Sequence, residues 1–119
     1  MDNITKLNLL FDYYGDFLTK KQRDIFEQYY INDLSLGEIA ENSGITRQGV
    51  HDILRRAERT LENFEKKLDM VNKYLSYRKK IEKILVLLEE IEPGVAAEYK
   101  QKFTDIYNGV ATLLKEGGV

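Results

Sequence analysis

Ser35-Leu36-Gly37-Glu38-Ile39-Ala40-Glu41-Asn42-Ser43-Gly44-Ile45-Thr46-Arg47-Gln48-Gly49-Val50-His51-Asp52-Ile53-Leu54-Arg55-Arg56-Ala57 is the stretch whose reading decides the fold. Ser35 suits a helix N-cap, and Glu38, three residues on, completes a capping box with it. Ala40 is small where two helices must cross closely. Gly44 can take the positive φ that ends one helix and redirects the chain. Thr46 then caps a second helix, with Val50, Ile53 and Ala57 at helical spacing on its inner face. Two capped helices joined by a glycine turn make a helix-turn-helix, in which the second helix is the one expected to enter a DNA major groove.

Working back towards the N-terminus, Thr19 and Gln22 repeat the capping-box pattern, with Leu18 placed as a hydrophobic staple. The helix they open carries Ile25, Phe26 and Tyr29 inward and ends at Asn32-Asp33. Before it, Ile4, Leu7, Leu10, Phe11 and Tyr14 form the stripe of a first helix, with Asn3 as its cap and Gly15 as its stop.

Working forward, apolar residues recur from Val50 through Leu54, Ala57, Leu61, Phe64, Leu68 and Val71 to Leu75 in steps of three or four. A second phase runs Tyr74, Tyr77, Ile81, Leu85, Leu88 and Ile91. The helix opened at Thr46 either continues as one very long helix or breaks once, near Leu68-Asp69; the break is the favoured reading, because a small protein buries a long stripe more easily by folding back. Glu92-Pro93-Gly94 stops the following helix, since the residue before proline avoids the helical region. A last helix carries Tyr99, Phe103, Ile106, Val110, Leu113 and Leu114. The expected architecture is all-α. Residues 1–68 form a helix-turn-helix domain, and residues 69–119 form a C-terminal helical arm packing on or extending from it.

Across 119 residues the formal net charge is -2, so nucleic-acid binding would have to use local patches and not a global field. The absence of cysteine removes disulfides, thiolate metal sites and cysteine nucleophiles. His51 is the only histidine and has no cluster of companions, so no metal site is expected. Glu89, Glu90 and Glu92 have neither nucleophile nor phosphate loop beside them and read as an acidic helix end. The chain is therefore expected to be non-enzymatic and without cofactor. The N-terminus lacks the basic start and apolar run of a signal peptide, and no aliphatic run is long enough for a bilayer. A cytoplasmic protein without membrane insertion is the expectation.

From Leu18 to Leu61 the chain resembles region four of bacterial sigma-70-type factors. The tyrosine-rich start around Phe11-Asp12-Tyr13-Tyr14-Gly15 and the helical tail extend the likeness: the whole chain resembles the YlxM-like family of small bacterial helix-turn-helix proteins. That resemblance implies a regulatory protein that takes part in or regulates the signal recognition particle pathway. One departure bears on DNA reading. Where the sigma pattern runs Ser/Thr-Arg-Glu-Arg-Val-Arg-Gln-Ile, this chain has Thr46-Arg47-Gln48-Gly49-Val50-His51-Asp52-Ile53. Two arginines have become Gly49 and His51, and a glutamine has become Asp52, whose charge repels phosphate. Promoter-type recognition is not carried over.

Thr46, Arg47, Gln48, His51, Arg55 and Arg56 are the candidate DNA contacts, with Arg47 and Gln48 leading and the arginines as phosphate anchors. The opposing reading is a solvated helix face, with Arg55 and Arg59 paired to acids three or four residues away. Lys73, Arg78, Lys79, Lys80 and Lys83 alternate with Tyr74 and Tyr77, a pattern that suits RNA or a partner protein of the signal recognition particle. Tyrosines at that spacing equally suit a core, with the lysines on its wet face. The stripe from Leu54 to Leu75 has heptad spacing and could serve as a homodimer seam, or could pack within the chain.

Overall fold

The computed structural model describes residues 3–116. Among them the chain forms six α-helices and no strand: α1 Asn3–Tyr14, α2 Lys20–Phe26, α3 Leu36–Ser43, α4 Arg47–Leu68, α5 Met70–Ile91 and α6 Lys100–Glu116. The chain divides into two units, Met1–Val71 and Asn72–Val119.

In the first unit α1, α2 and α3 all pack on α4. Ile25, Ile39, Ala40, Val50 and Leu54 make the core under the helix-turn-helix, with Tyr29, Leu34, Ile45 and Ile53 packed around them. Leu7, Leu10, Tyr14, Leu18, Phe26, Ala57 and Leu61 are buried further along α4. Aromatic pairs join the layers: Phe11 stacks on Phe26 with centroids 4.5 Å apart, and Phe17 stacks on Phe64 at 4.6 Å.

The local signals for helix ends act as their chemistry requires. Thr19 and Gln22 exchange both capping-box bonds, as do Ser35 and Glu38. Gly44 sits at φ 66, ψ 31. Thr46 Oγ1 accepts from the Gly49 N–H at 2.9 Å. The long stripe breaks at Asp69, which takes φ 56 and ψ 28 as the C-cap of α4.

Several details differ from the sequence reading. Asn3 lies inside α1 and is not its cap. Ile4 stays 58% exposed, so the α1 stripe begins at Leu7. Gly15 does not stop α1 by a left-handed turn. It opens a 3-10 turn, Gly15–Phe17, where a Cβ would come within 3.1 Å of the Phe11 ring. α2 does not run on to Asn32 either, for it ends at Phe26 and the next five residues, Glu27–Ile31, widen into a π-helical turn. Asp33 follows at φ 61. Of the Leu54–Leu75 stripe, Leu54, Ala57, Leu61 and Val71 are buried inside the first unit, so these four pack within the chain.

In the second unit α5 and α6 are joined through short 3-10 turns at Glu92–Gly94 and Ala97–Tyr99. Near the turn Tyr107 donates to Glu89 Oε1 at 2.6 Å, and Lys100 donates to the Glu92 carbonyl at 2.7 Å. Those bonds set the two helices antiparallel.

Candidate nucleic-acid interface

The candidate face belongs to α4. Its inner side, carrying Val50, Leu54, Ala57 and Leu61, is buried, which turns Arg47, Gln48, His51, Asp52, Arg55, Arg56 and Arg59 towards solvent. At about 100° per residue these exposed side chains span roughly half the circumference of the helix. The sequence-predicted residues therefore do share one face. Thr46 differs in kind: its hydroxyl is committed to capping α4.

Arg47 is not simply extended into solvent. A Cβ on Gly37 would lie 2.8 Å from Arg47 Nη2 and 3.1 Å from its Nε, so the guanidinium rests over the start of α3. A glycine at position 37 makes that approach possible, linking both helices of the motif at the end where a groove would be met. Sequence reading missed this, because nothing local connects residues ten apart across a turn.

Gly49 is less tightly placed. A Cβ there would sit 3.2 Å from Thr46 Oγ1 and 3.7 Å from Ile45 Cδ1. The contact with the capping hydroxyl is tight and that with Ile45 ordinary, so a side chain at position 49 would need only a small shift of the first turn.

The middle of the face is self-occupied. Gln48 Nε2 donates to Asp52 Oδ1 at 2.9 Å, and His51 Nδ1 lies 3.9 Å from the same oxygen. Thus Gln48 is held by the residue whose charge opposes phosphate. The arginines are different. Among the described residues Arg47, Arg55, Arg56 and Arg59 make no ion pair, so the pairing of Arg55 and Arg59 to nearby acids is not observed. Four cations against Asp52, Glu58 and Glu62 leave this stripe basic by one charge in a chain of net charge -2.

Behind the face two tyrosines tie α4 to the rest of the unit. Tyr30, from the π-helical turn, donates to Glu58, and burial together with that bond pushes its hydroxyl pKa up. Tyr14 donates to Glu65 Oε1 at 2.7 Å, and its pKa is pushed up to about 12, by burial first and then by this bond. Beside the motif a cleft of about 460 Å³ opens between α2 and the end of α3, lined by Lys20, Lys21, Asp24, Gln28 and Asn42. Neither lysine was singled out by the sequence reading.

The second basic set is less coherent. Arg78 donates to the Tyr74 hydroxyl at 3.1 Å and pairs with Glu82 at 3.2 Å. Lys80 stands 5.7 Å over the Tyr77 ring. Helical spacing puts Lys73 and Lys80 on one edge of α5, with Lys79 and Arg78 well round from it. The structure does not gather the five into one patch.

Among the described residues no helix is long and apolar enough to cross a membrane, and no three His, Cys, Asp or Glu side chains converge to hold a metal ion.

Comparison with known proteins agrees with the motif. The family described as "Putative helix-turn-helix protein, YlxM / p13 like" (UPF0122) matches residues 1–106. A UPF0122 protein of Desulforamulus reducens is 49% identical over 102 residues, covering 86% of this chain and 87% of its own. One from Caldanaerobacter subterraneus subsp. tengcongensis is 57% identical over 83 residues, covering 70% and 71%. One from Bacillus mycoides is 43% identical over 101 residues, covering 85% and 91%. The chain therefore belongs to the UPF0122 family of YlxM / p13-like helix-turn-helix proteins.

Proposed function

We propose that the protein is a regulatory DNA-binding protein that lays α4 in the major groove. The observation that carries this reading is the set of arginines on the exposed face of a correctly capped helix-turn-helix, free of intramolecular ion pairs among the described residues. Arg55, Arg56 and Arg59 are phosphate anchors, and Arg47, at the start of the helix, contacts a phosphate or a guanine edge. Gln48 reads a base only after leaving Asp52. Binding on these terms is dominated by the backbone and modest in sequence preference.

The resemblance to YlxM-like proteins suggests that the regulated process is the signal recognition particle pathway. Anisotropy titration against duplex fragments from around the genes for that particle, with Arg47→Ala alongside, tests both parts. Binding weakened by Arg47→Ala supports the DNA reading, and preference for those fragments over random duplex supports the pathway. No binding at low salt contradicts the first.

A second reading is favoured by the bond between Gln48 and Asp52, which places a carboxylate in the middle of the reading face. In it the helix-turn-helix is a scaffold, and the C-terminal helices associate with the protein or RNA of the particle through Lys73, Lys80 and Lys83 of α5, with Lys79 and Arg78 further round the helix. Pull-down with particle components separates the two. Capture that is abolished by Lys73→Glu with Lys83→Glu, yet unaffected by Arg47→Ala, favours the second.

A further inference from the structure

Arg47 is the first residue of α4, and its side chain reaches across to α3. A Cβ on Gly37 would lie 2.8 Å from Arg47 Nη2, 3.1 Å from Nε and 3.4 Å from Cζ. Both nitrogens are nearer that point than the carbon between them. The guanidinium therefore turns its Nε–Nη2 edge to the first turn of α3 and its Nη1 away from it. No carboxylate draws it there. Arg47 makes no ion pair among the described residues, and Glu38, next to Gly37 in sequence, has its carboxylate engaged by the Ser35 N–H at 3.1 Å.

What permits this pose is the missing side chain at position 37. A Cβ and Nη2 do not coexist at 2.8 Å, so any other residue there sends the end of the arginine elsewhere. Nothing in the backbone calls for glycine at this point. Among the described glycines only Gly44 has a positive φ, and within α3 glycine is a poorer helix former than alanine. The three atoms nearest to the absent Cβ all belong to Arg47. The space that Gly37 leaves is space for that arginine.

We propose that Gly37 is a positioning residue, which holds Arg47 against α3 and so makes it a phosphate anchor and not a reader of guanine; the inference rests on the reading of α4 as the DNA-binding helix. In a helix-turn-helix on DNA the second helix lies in the major groove, while the first crosses the backbone beside it. A guanidinium turned towards the first helix is turned towards that phosphate strand and away from the base edges. Charge agrees with this. The first turn of α4 holds no acidic side chain, so the Arg47 cation stands uncompensated at the positive end of a helix. A full phosphate charge relieves that better than the partial charges of a base edge. The edge of the guanidinium that carries Nη1 is left to meet the phosphate oxygens.

Anisotropy titration over a salt series, against one A·T-rich and one G·C-rich duplex, tests the proposal. The proteins are wild type, Gly37→Ala, Arg47→Ala, Arg47→Lys and the double variant Gly37→Ala, Arg47→Ala, with thermal unfolding as a check of the fold. Gly37→Ala should be at least as stable as wild type. Gly37→Ala and Arg47→Ala should each weaken binding to both duplexes by the same factor and make the salt slope shallower by about one. Arg47→Lys should keep the slope, because an ammonium still serves a phosphate as a point charge but lacks the planar fork that grips a guanine edge. The double variant should bind no more weakly than Arg47→Ala, since the glycine acts only through the arginine. Gly37→Ala binding as wild type does, while Arg47→Ala is weakened, overturns the positioning role. So does a less stable Gly37→Ala, which would give the glycine to packing, or a double variant weaker than Arg47→Ala, which would put Gly37 itself on the DNA. A loss confined to the G·C-rich duplex overturns the phosphate assignment. A wild type that binds neither duplex at low salt is a separate failure, that of the DNA reading itself, and the inference falls with it.

Discussion

The Tyr14 hydroxyl lies 2.7 Å from Glu65 Oε1, joining residues 51 apart in sequence. The same oxygen accepts from the Val71 N–H at 3.1 Å, and the Tyr14 oxygen accepts from the Met70 N–H at 3.1 Å. Two side chains thus satisfy the backbone donors freed where α4 ends at Asp69, the need that any helix start creates. The turn that the apolar stripe predicts is held from outside by α1.

Tyr14→Phe leaves the Met70 N–H without its acceptor and removes one of the donors to Glu65. The expected loss is about 1–3 kcal/mol, the usual cost of an unsatisfied partly buried group. Glu65→Gln keeps an accepting oxygen and should cost less than Glu65→Leu. Urea denaturation of the three variants checks the order, and an unchanged midpoint for Tyr14→Phe would count against the role given to this bond.

Stability should fall on the alkaline side. Tyr14 and Tyr30 both have hydroxyl pKa values raised above the ordinary 10.0, that of Tyr14 to about 12. Their contribution is complete below pH 10, where both states are protonated, and is lost as pH rises and the unfolded chain ionises first. The slope is about 1.4 kcal/mol per pH unit for each tyrosine. Tyr14→Phe and Tyr30→Phe should each flatten that limb, as read by chemical denaturation from pH 9 upward; a flat wild-type profile would contradict the buried, hydrogen-bonded state of both phenols.

Gly44→Ala places a Cβ at φ 66 and should destabilise by about 1–2 kcal/mol, with Gly44→Asn milder. Thermal unfolding of the pair checks this. Equal stability of all three proteins would mean that the turn is not held left-handed.

These turn positions were legible in the sequence because their chemistry is local. Thr19 with Gln22, Ser35 with Glu38, Gly44 and Thr46 each act within four residues. What stayed hidden depends on approach across the fold. Glu65 looks like one more charge on a solvated face until α1 covers it. Gly37 looks like a weak helix residue until Arg47 lies over it. Asp52 was legible as a repulsive charge, but its hold on Gln48 needed side-chain geometry. The apolar residues of α5 were visible, and only exposure separates Tyr77, Ile84 and Ile91 from the half-buried Ile81 and Leu85.

If α4 meets DNA, Asp52→Asn should strengthen binding. It removes a charge from the reading face and weakens the hold on Gln48, a gain of about 1 kcal/mol or roughly fivefold. Anisotropy titration at fixed salt reads the change. Weaker binding would mean that the carboxylate itself receives a donor from a base.

The most direct measurement is the salt dependence of binding to a duplex for wild type and for the double variant Arg47→Ala, Arg55→Ala. The log of the binding constant should fall linearly with log salt for wild type, and the slope should become shallower by about one for the double variant if Arg47 meets a guanine edge and by about two if it meets a phosphate as Arg55 does. Equal slopes for the two proteins, or no binding at low salt, would contradict the assignment of α4 as the DNA-binding face.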